Sequence, residues 1–484
     1  MSWLDYKEKC KRMKNIVPYL IAGIVSIIVS IPLMSNAIDL DEAYSIHLVR
    51  QSVKEIIQGT AADVHPPLYY LILKLTSFMG NEEVYKYRFL TLVATYLNLL
   101  WIGATKVRKI FGNRVACIYI LWFGLNYCTV ERTVSLRMYS WAAFFVTAVA
   151  IYLYEYYLTE KYSDFAIGIM MTLGAMYTHY YAIIAVVITW LIMLIATIFI
   201  KKNEAGKVII GGIIVTIGYM PWMGSLLSQS TKVSENYWIQ NFSWKEWALT
   251  PIELMESSLD GIGMALYVLL IAIFIVAIVN KNYVAGCALV VFVGTMLLPA
   301  LLSVMLTPIW QARYLYVAWG MLSLFVAITI GRNPAKTAFV PQIGTIVILM
   351  LVGCFSVNNM LQSETMVTEV DAWMDFVEAN ISEDDCIIIN DHHEHYLVYE
   401  YYMPKNKIIM AETIEGLGGK LAIEDILEKY EEHKVWYIVN YTLAPCATDT
   451  LTELLDEIGY ETKKVDSHTI KWKVLDAFEV GVQK

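Results

Sequence analysis

The stretch IVPYLIAGIVSIIVSIPLMSNA, residues 16–37, decides the architecture. Its roughly 22 residues, at about 1.5 Å of rise each, are enough to cross the ~30 Å hydrocarbon core of a bilayer. A basic tail of Lys7, Lys9, Lys11, Arg12 and Lys14 precedes it, so the positive-inside rule puts the N-terminus in the cytoplasm. The run exceeds a secretory signal core, and Ser35-Asn36-Ala37 is a poor cleavage site; it reads as a retained span. Just beyond it stands Asp41-Glu42, then Asp63-Val64-His65-Pro66-Pro67-Leu68-Tyr69-Tyr70. The acids therefore emerge at the far surface of the membrane.

Similar runs recur along the chain. With 57% hydrophobic and 17% charged residues over 484 positions, an ordinary soluble globule is excluded. The net charge of -9 argues against a nucleic-acid partner, whose phosphates call for a basic surface. Apolar runs predict about eleven transmembrane helices, near 16–37, 84–105, 114–132, 138–158, a folded-back pair in 164–200, 207–228, 262–280, 283–304, 313–331 and 337–356. The fold-back belongs at Thr178-His179-Tyr180-Tyr181, the polar point of its run.

The breaks between spans sort by charge. Lys106, Arg108, Lys109 and Arg114, then Lys161, then Lys201, Lys202 and Lys207, then Lys281, then Arg332 and Lys336 fall in short loops on one side. That side is cytoplasmic. The other side receives loops 38–83 and 229–260 and, after an odd number of spans, everything past 356. The expectation is a polytopic α-helical protein of the plasma membrane, with a transmembrane domain over 1–356 and an extracytoplasmic α/β domain over 357–484. Segment 66–80 reads as an interfacial helix, and Tyr237, Trp238, Trp244 and Trp247 suit the headgroup region.

The C-terminal region has strand-length apolar runs at 386–390, 407–410 and 435–440, and a strand pair near 461–477. Helical stretches near 368–380, 392–403, 422–433 and 447–459 separate them, which predicts a small parallel sheet covered by helices. Asp391-His392-His393-Glu394-His395 follows the first strand; a ligand or metal site and a solvated junction both explain it. The seven cysteines show no metal-like spacing, and Cys386 meets Cys446 only if this region folds them together.

The polar residues of the outer face converge. Asp39, Asp41, Glu42, Asp63 and His65 share the first outer loop, Glu131, Arg132 and Arg137 the next, His179 the fold-back, and Arg313 the start of a late span. Singly, each is explained as a solvated loop residue. Together they suit a site, since ionisable groups at a membrane are costly and functional by default. A carboxylate can deprotonate an acceptor hydroxyl, while arginines neutralise a departing phosphate, their planar forks pairing with its oxygens.

Five motifs, in order, carry a resemblance: Asp41-Glu42-Ala43-Tyr44-Ser45, the Asp63–Tyr70 run, Arg137-Met138-Tyr139-Ser140, Thr178-His179-Tyr180-Tyr181 and Arg313-Tyr314-Leu315. The chain resembles, over roughly 16–356, the bacterial C-type (GT-C) membrane glycosyltransferases of the protein O-mannosyltransferase-like superfamily. The resemblance implies an inverting hexosyl- or mannosyltransferase-like enzyme that moves a sugar from a polyprenyl-phosphate donor to a lipid, glycan or protein acceptor on the extracytoplasmic face. It implies Asp41 as the base and Glu42 as its orienting neighbour. Asp63, His65 and His179 would shape the acceptor side or support it, and Arg137, Tyr139, Arg313 and Arg88 would hold the donor phosphate. A valine separates Asp63 from His65, where many relatives have the pair adjacent. No cofactor is required, although Asp41, Glu42, Asp63 and His65 could ligate a divalent metal. The rival reading is a transporter or lipid flippase. It expects mid-membrane charges and repeated halves, and this chain shows neither pattern.

Overall fold

The protein is described by a computed structural model over residues 3–31, 38–79, 84–235, 239, 242–255, 261–332, 372–390, 396–411, 414, 419–430, 432–440, 453–470 and 473–481. The chain forms two compact units. One comprises Met1–Met34 with Gln51–Met360, the other Ser35–Arg50 with Leu361–Lys484.

The first unit is a helical bundle. Among the described residues, six helices are long and apolar enough to cross a membrane: Val84–Phe111, Tyr139–Thr159, Tyr180–Ile200, Lys202–Ser234, Tyr283–Met305 and Ala312–Gly331. Shorter apolar helices cover Asn15–Ile28, Leu68–Phe78 and Tyr267–Val279. Many of these helices expose large apolar side chains, among them Phe199, Ile213, Val279 and Met305. In water that arrangement would be a liability; facing lipid it is the stable solution. The helix of the Trp319–Gly331 segment is enclosed, and Gly320 lets it approach the Tyr139–Thr159 helix so closely that a Cβ would overlap the Thr147 hydroxyl.

The Tyr139–Thr159 helix links two chemically different ends of the bundle. At about 1.5 Å per residue its 21 residues span roughly 32 Å. Near its C-terminal end, buried Glu155 accepts from Lys106 Nζ at 2.6 Å and Lys109 Nζ at 2.5 Å, with Asp164 3.6 Å from Lys106. Lys201 pairs with Glu160 at the same end at 2.6 Å, and Lys207 with Glu204 at 2.7 Å. Lysines of two basic breaks, 106–114 and 201–207, thus gather at this end, where Lys106, Lys109 and Lys207 neutralise the buried carboxylates Glu155, Asp164 and Glu204. At the helix's other end lies Arg137.

Three sequence expectations need amending. The stretch 114–132 is not one span: helix Asn113–Gly124 stops, and a separate helix Tyr127–Val134 begins. Asn126 causes the break, since its amide donates to Trp122 O and Phe123 O at 2.8 Å each while its carbonyl accepts from Thr129 N. At 12 residues the first piece spans only about 18 Å. Among the described residues of the outer stretch 229–260, 229–235 continue helix Lys202–Glu235 and Trp244–Met255 forms another helix. The expected total of about eleven spans is not reached among the described residues, and the span near 337–356 lies outside them.

The second unit is built on a five-stranded sheet. Strands β1 (Cys386–Asn390), β2 (Lys407–Met410), β3 (Val435–Asn440), β4 (Thr462–Ile470) and β5 (Lys473–Val480) run in the order β2-β1-β3-β5-β4. The β1–β2 and β1–β3 pairs are parallel, β3–β5 and β4–β5 antiparallel. The sheet is therefore mixed, not parallel throughout. Because β1 is buried along its whole length, it reads as an unbroken apolar run, as a central strand covered on both faces should. One face carries Trp373, Val377, Ile387, Ile389, Tyr399 and Trp436. The other carries Ile388, Ile414, Ile423, Tyr437 and Leu455. Cys386 is a buried free thiol, while Cys446, Tyr237, Trp238 and the Asp391–His395 cluster lie outside the described residues.

The acid helix, Leu40–Arg50, belongs to this second unit although it lies far from the sheet in sequence.

Candidate active site

In the bundle, the site is assembled at the Arg137 end from four loop–helix junctions. Helix Val53–Ala62 begins with a capping box, Ser52 accepting from Glu55 N and Glu55 from Ser52 N, and it ends at Asp63. Its last carbonyls are clamped from another helix: Gln229 Nε2 donates to Thr60 O at 2.8 Å and Ala61 O at 3.2 Å, and Lys232 Nζ to Ala62 O at 3.2 Å. Tyr180 OH in turn donates to Gln229 Oε1. After Pro66-Pro67, Leu68 N–H donates to Tyr177 O at 2.9 Å, which ties the first-loop motif to the turn carrying His179.

This frame places Asp63 and His65 together. His65 Nδ1–H donates to Asp63 Oδ2 at 2.8 Å, and Arg137 donates toward His65 Nε2 from 3.4 Å. Burial opposes ionisation of Asp63, but the His65 hydrogen bond and charge, with Arg137 beyond, hold its pKa down at about 2. Arg137 sits in the bend between helices Tyr127–Val134 and Tyr139–Thr159 and is only 5% exposed.

His179 caps the next helix. Its Nδ1 accepts from Tyr181 N–H at 3.1 Å, which demands an unprotonated Nδ1. Burial pushes the pKa of His179 well below its ordinary value, and positive charge on His65, Arg137 and Arg313 acts in the same sense. His179 is thus a neutral ring in a cationic surrounding.

Beneath these groups lies an aromatic floor. Tyr314 has ring neighbours His179 at 5.2 Å, Tyr181 at 5.3 Å and Tyr139 at 6.1 Å between centroids. The Arg313 guanidinium lies 5.6 Å from the Tyr314 ring, and that of Arg132 5.4 Å from Tyr139. Arg132 also pairs with Glu131 at 3.1 Å. Beside the floor is an apolar cavity of about 580 Å³, bounded by Pro67, Leu68, Leu71, Phe145, Tyr177 and Trp222. Pro67 and Tyr177 thus belong to both the cavity wall and the frame of the polar cluster.

The structure thus gathers Asp63, His65, Arg137, Tyr139, His179 and Arg313 within one unit. Arg88 is buried in helix Val84–Tyr96. Asp41 and Glu42 sit in the first turn of the acid helix, where the helix N-terminus favours negative charge, with Asp41 half-buried and Glu42 4% exposed. Asp39 is that helix's cap: its Oδ1 accepts from Glu42 N–H at 2.8 Å. Sequence reasoning counted Asp39 among the chemistry-bearing acids, although Asp39-x-x-Glu42 is a capping-box pattern. It missed Gln229, which no local motif marks as a clamp, and it gave no role to Tyr181 and Tyr314, although the quoted motifs contain them. Among the described residues no three His, Cys, Asp or Glu side chains gather as a metal site.

No family model matches the chain, and no curated protein matches it significantly. Solved structures do. ArnT from Cupriavidus metallidurans in the apo state superposes with a TM-score of 0.67 at 10% identity, over 95% of this chain and 97% of that one. The same protein bound to undecaprenyl phosphate gives 0.65 at 11% identity, over 95% and 97%. The chain has an ArnT-like fold. At such identities the likeness is one of fold, and with the six apolar helices it makes this a multi-pass membrane protein.

Proposed function

We propose that the protein is an inverting glycosyltransferase, moving a sugar from a polyprenyl-phosphate donor to an acceptor on the extracytoplasmic face. The observation that carries this reading is the bundle cluster: two guanidinium groups, Arg137 and Arg313, act on a neutral buried His179, with Asp63 and His65 paired beside Arg137. Such a surrounding favours an anion, and arginine forks suit phosphate. The adjoining apolar cavity suits an isoprenoid chain. The fold is shared with ArnT, a protein solved with undecaprenyl phosphate bound.

In this reading the Asp41 carboxylate takes the proton of the acceptor hydroxyl as its oxygen attacks the anomeric carbon. The bond from that carbon to the phosphate oxygen breaks, the electron pair leaves with polyprenyl phosphate, and Arg137 and Arg313 stabilise the departing charge. A single displacement inverts the anomeric centre. Glu42 supports Asp41, Arg88 adds positive charge, and Asp63 with His65 shapes the acceptor side. The basic end of the bundle faces the cytoplasm.

The test is turnover of purified protein in lipid, supplied with polyprenyl-phosphate sugars of several kinds and an envelope extract as acceptor source. Release of free polyprenyl phosphate with one of them supports the reading. Absence of release and of donor binding across the panel rejects it.

A further inference from the structure

The acid helix is held at both ends by one short helix of the second unit, Tyr396–Tyr402. Before its first turn, Ile38 N–H donates to Tyr402 OH at 3.2 Å. In its last turn, His47 Nδ1 lies 3.0 Å from Glu400 Oε2, and the Arg50 guanidinium sits 5.6 Å from the Tyr401 ring centroid. Three consecutive residues thus hold two points on an element of 11 residues and one just before its start.

The holding helix is itself anchored. Tyr399 is buried in the sheet's core with Trp373, Ile387, Ile389 and Met403, and Trp373 Nε1–H donates to Tyr399 OH at 3.1 Å. A continuous path of packed groups therefore runs from β1 through Tyr399 to Glu400, Tyr401 and Tyr402, and on to the acid helix. At about 100° per residue, His47 and Arg50 project roughly 120° and 180° away from Asp41. The helix is gripped by the side that does not carry Asp41.

We propose that the C-terminal α/β unit is the platform that positions the acid helix, and that Glu400, Tyr401 and Tyr402 are positioning residues for Asp41. This rests on the reading of Asp41 as the base. It gives the sheet a mechanical task. A carboxylate placed on a helix clamped to a rigid core keeps its geometry, whereas the same carboxylate on an untethered loop would not. A displacement of about 1 Å at a reacting group costs on the order of 100-fold in rate.

The test uses full-length protein in lipid, with E400Q, Y401L and Y402F singly and together. These side chains are partly exposed, so the sheet core should survive. Two quantities are read: hydrogen exchange of the Leu40–Arg50 amides, and kcat separately from donor KM. The triple variant is expected to speed acid-helix exchange at least about tenfold while Ile387–Ile389 stay protected, and to lower kcat about 10- to 100-fold at constant donor KM. Glu400→Asp, which keeps the charge opposite His47, should recover part of the loss of Glu400→Gln. Unchanged exchange overturns the docking. Faster exchange with kcat unchanged overturns the positioning role. An Asp41→Asn protein with near-normal turnover overturns the proposal with the base assignment, and intact exchange differences would show that the docking itself was not at fault.

Discussion

Replacing Arg137 is the perturbation whose consequences the structure specifies most fully. The guanidinium is 5% exposed, donates toward His65 from 3.4 Å, and contributes to the positive surrounding of His179. If it also binds the donor phosphate, Arg137→Ala loses a charge-assisted contact worth about 1.5–3 kcal/mol. At about 1.4 kcal/mol per decade, donor affinity falls roughly 10- to 150-fold. Arg137→Lys keeps the charge but not the planar fork, so it should recover only part. Arg137→Met separates charge from bulk, because it fills much of the volume without a cation. Titration of a polyprenyl phosphate into protein in nanodiscs, with the melting temperature followed in parallel, reads both effects. Unchanged affinity in Arg137→Ala, whatever happens to stability, would refute the assignment and leave Arg137 a structural strut.

Three further outcomes follow from the same geometry. His179 is neutral when folded but takes a proton in the unfolded chain below its ordinary pKa near 6.5, so stability should fall as pH drops below that value, by up to about 1.4 kcal/mol per pH unit; His179→Gln should flatten this slope, and melting curves from pH 7 to 5 that run parallel in the two proteins would contradict it. Asp63, held at about 2, contributes stability that is present above its unfolded pKa near 4 and is lost as pH falls from about 4 to about 2; Asp63→Asn should melt below the native protein at pH 6 and converge with it near pH 2, and the rate profile above pH 4 should carry no limb from this group. For topology, cysteines at Gln58 and Lys405 should react with an impermeant thiol reagent on intact spheroplasts and one at Asn203 only after lysis, the reverse result inverting the orientation.

The membrane architecture was largely legible because lipid imposes apolar runs whose length is set by bilayer thickness, and most helices lie where the hydropathy places them. The exception at 114–132 has a local cause: hydropathy averages over Asn126, whose side chain closes one helix and opens the next. The strands at Cys386, Lys407 and Val435 were readable as short apolar runs, but nothing local announces that β5 joins β3 antiparallel. For the site, motif order singled out Asp63, His65, Arg137, Tyr139, His179 and Arg313, which the bundle brings into one cluster. The acid helix shows the limit. That Leu40–Arg50 associates with a helix some 350 residues later is a tertiary fact, carried by Tyr402, Glu400 and Tyr401, none of which stands out in its own neighbourhood.

The account turns on Asp41 acting as base toward a phosphate-linked donor, and a single-turnover experiment reaches that directly. Donor is pre-bound to native and Asp41→Asn protein in lipid, acceptor is added, and release of free polyprenyl phosphate is timed. The amide keeps the shape of the carboxylate but cannot take the acceptor's proton, so release should slow on the order of 10²–10⁴-fold with donor affinity unaltered. Release from Asp41→Asn at close to the native rate would contradict the mechanism.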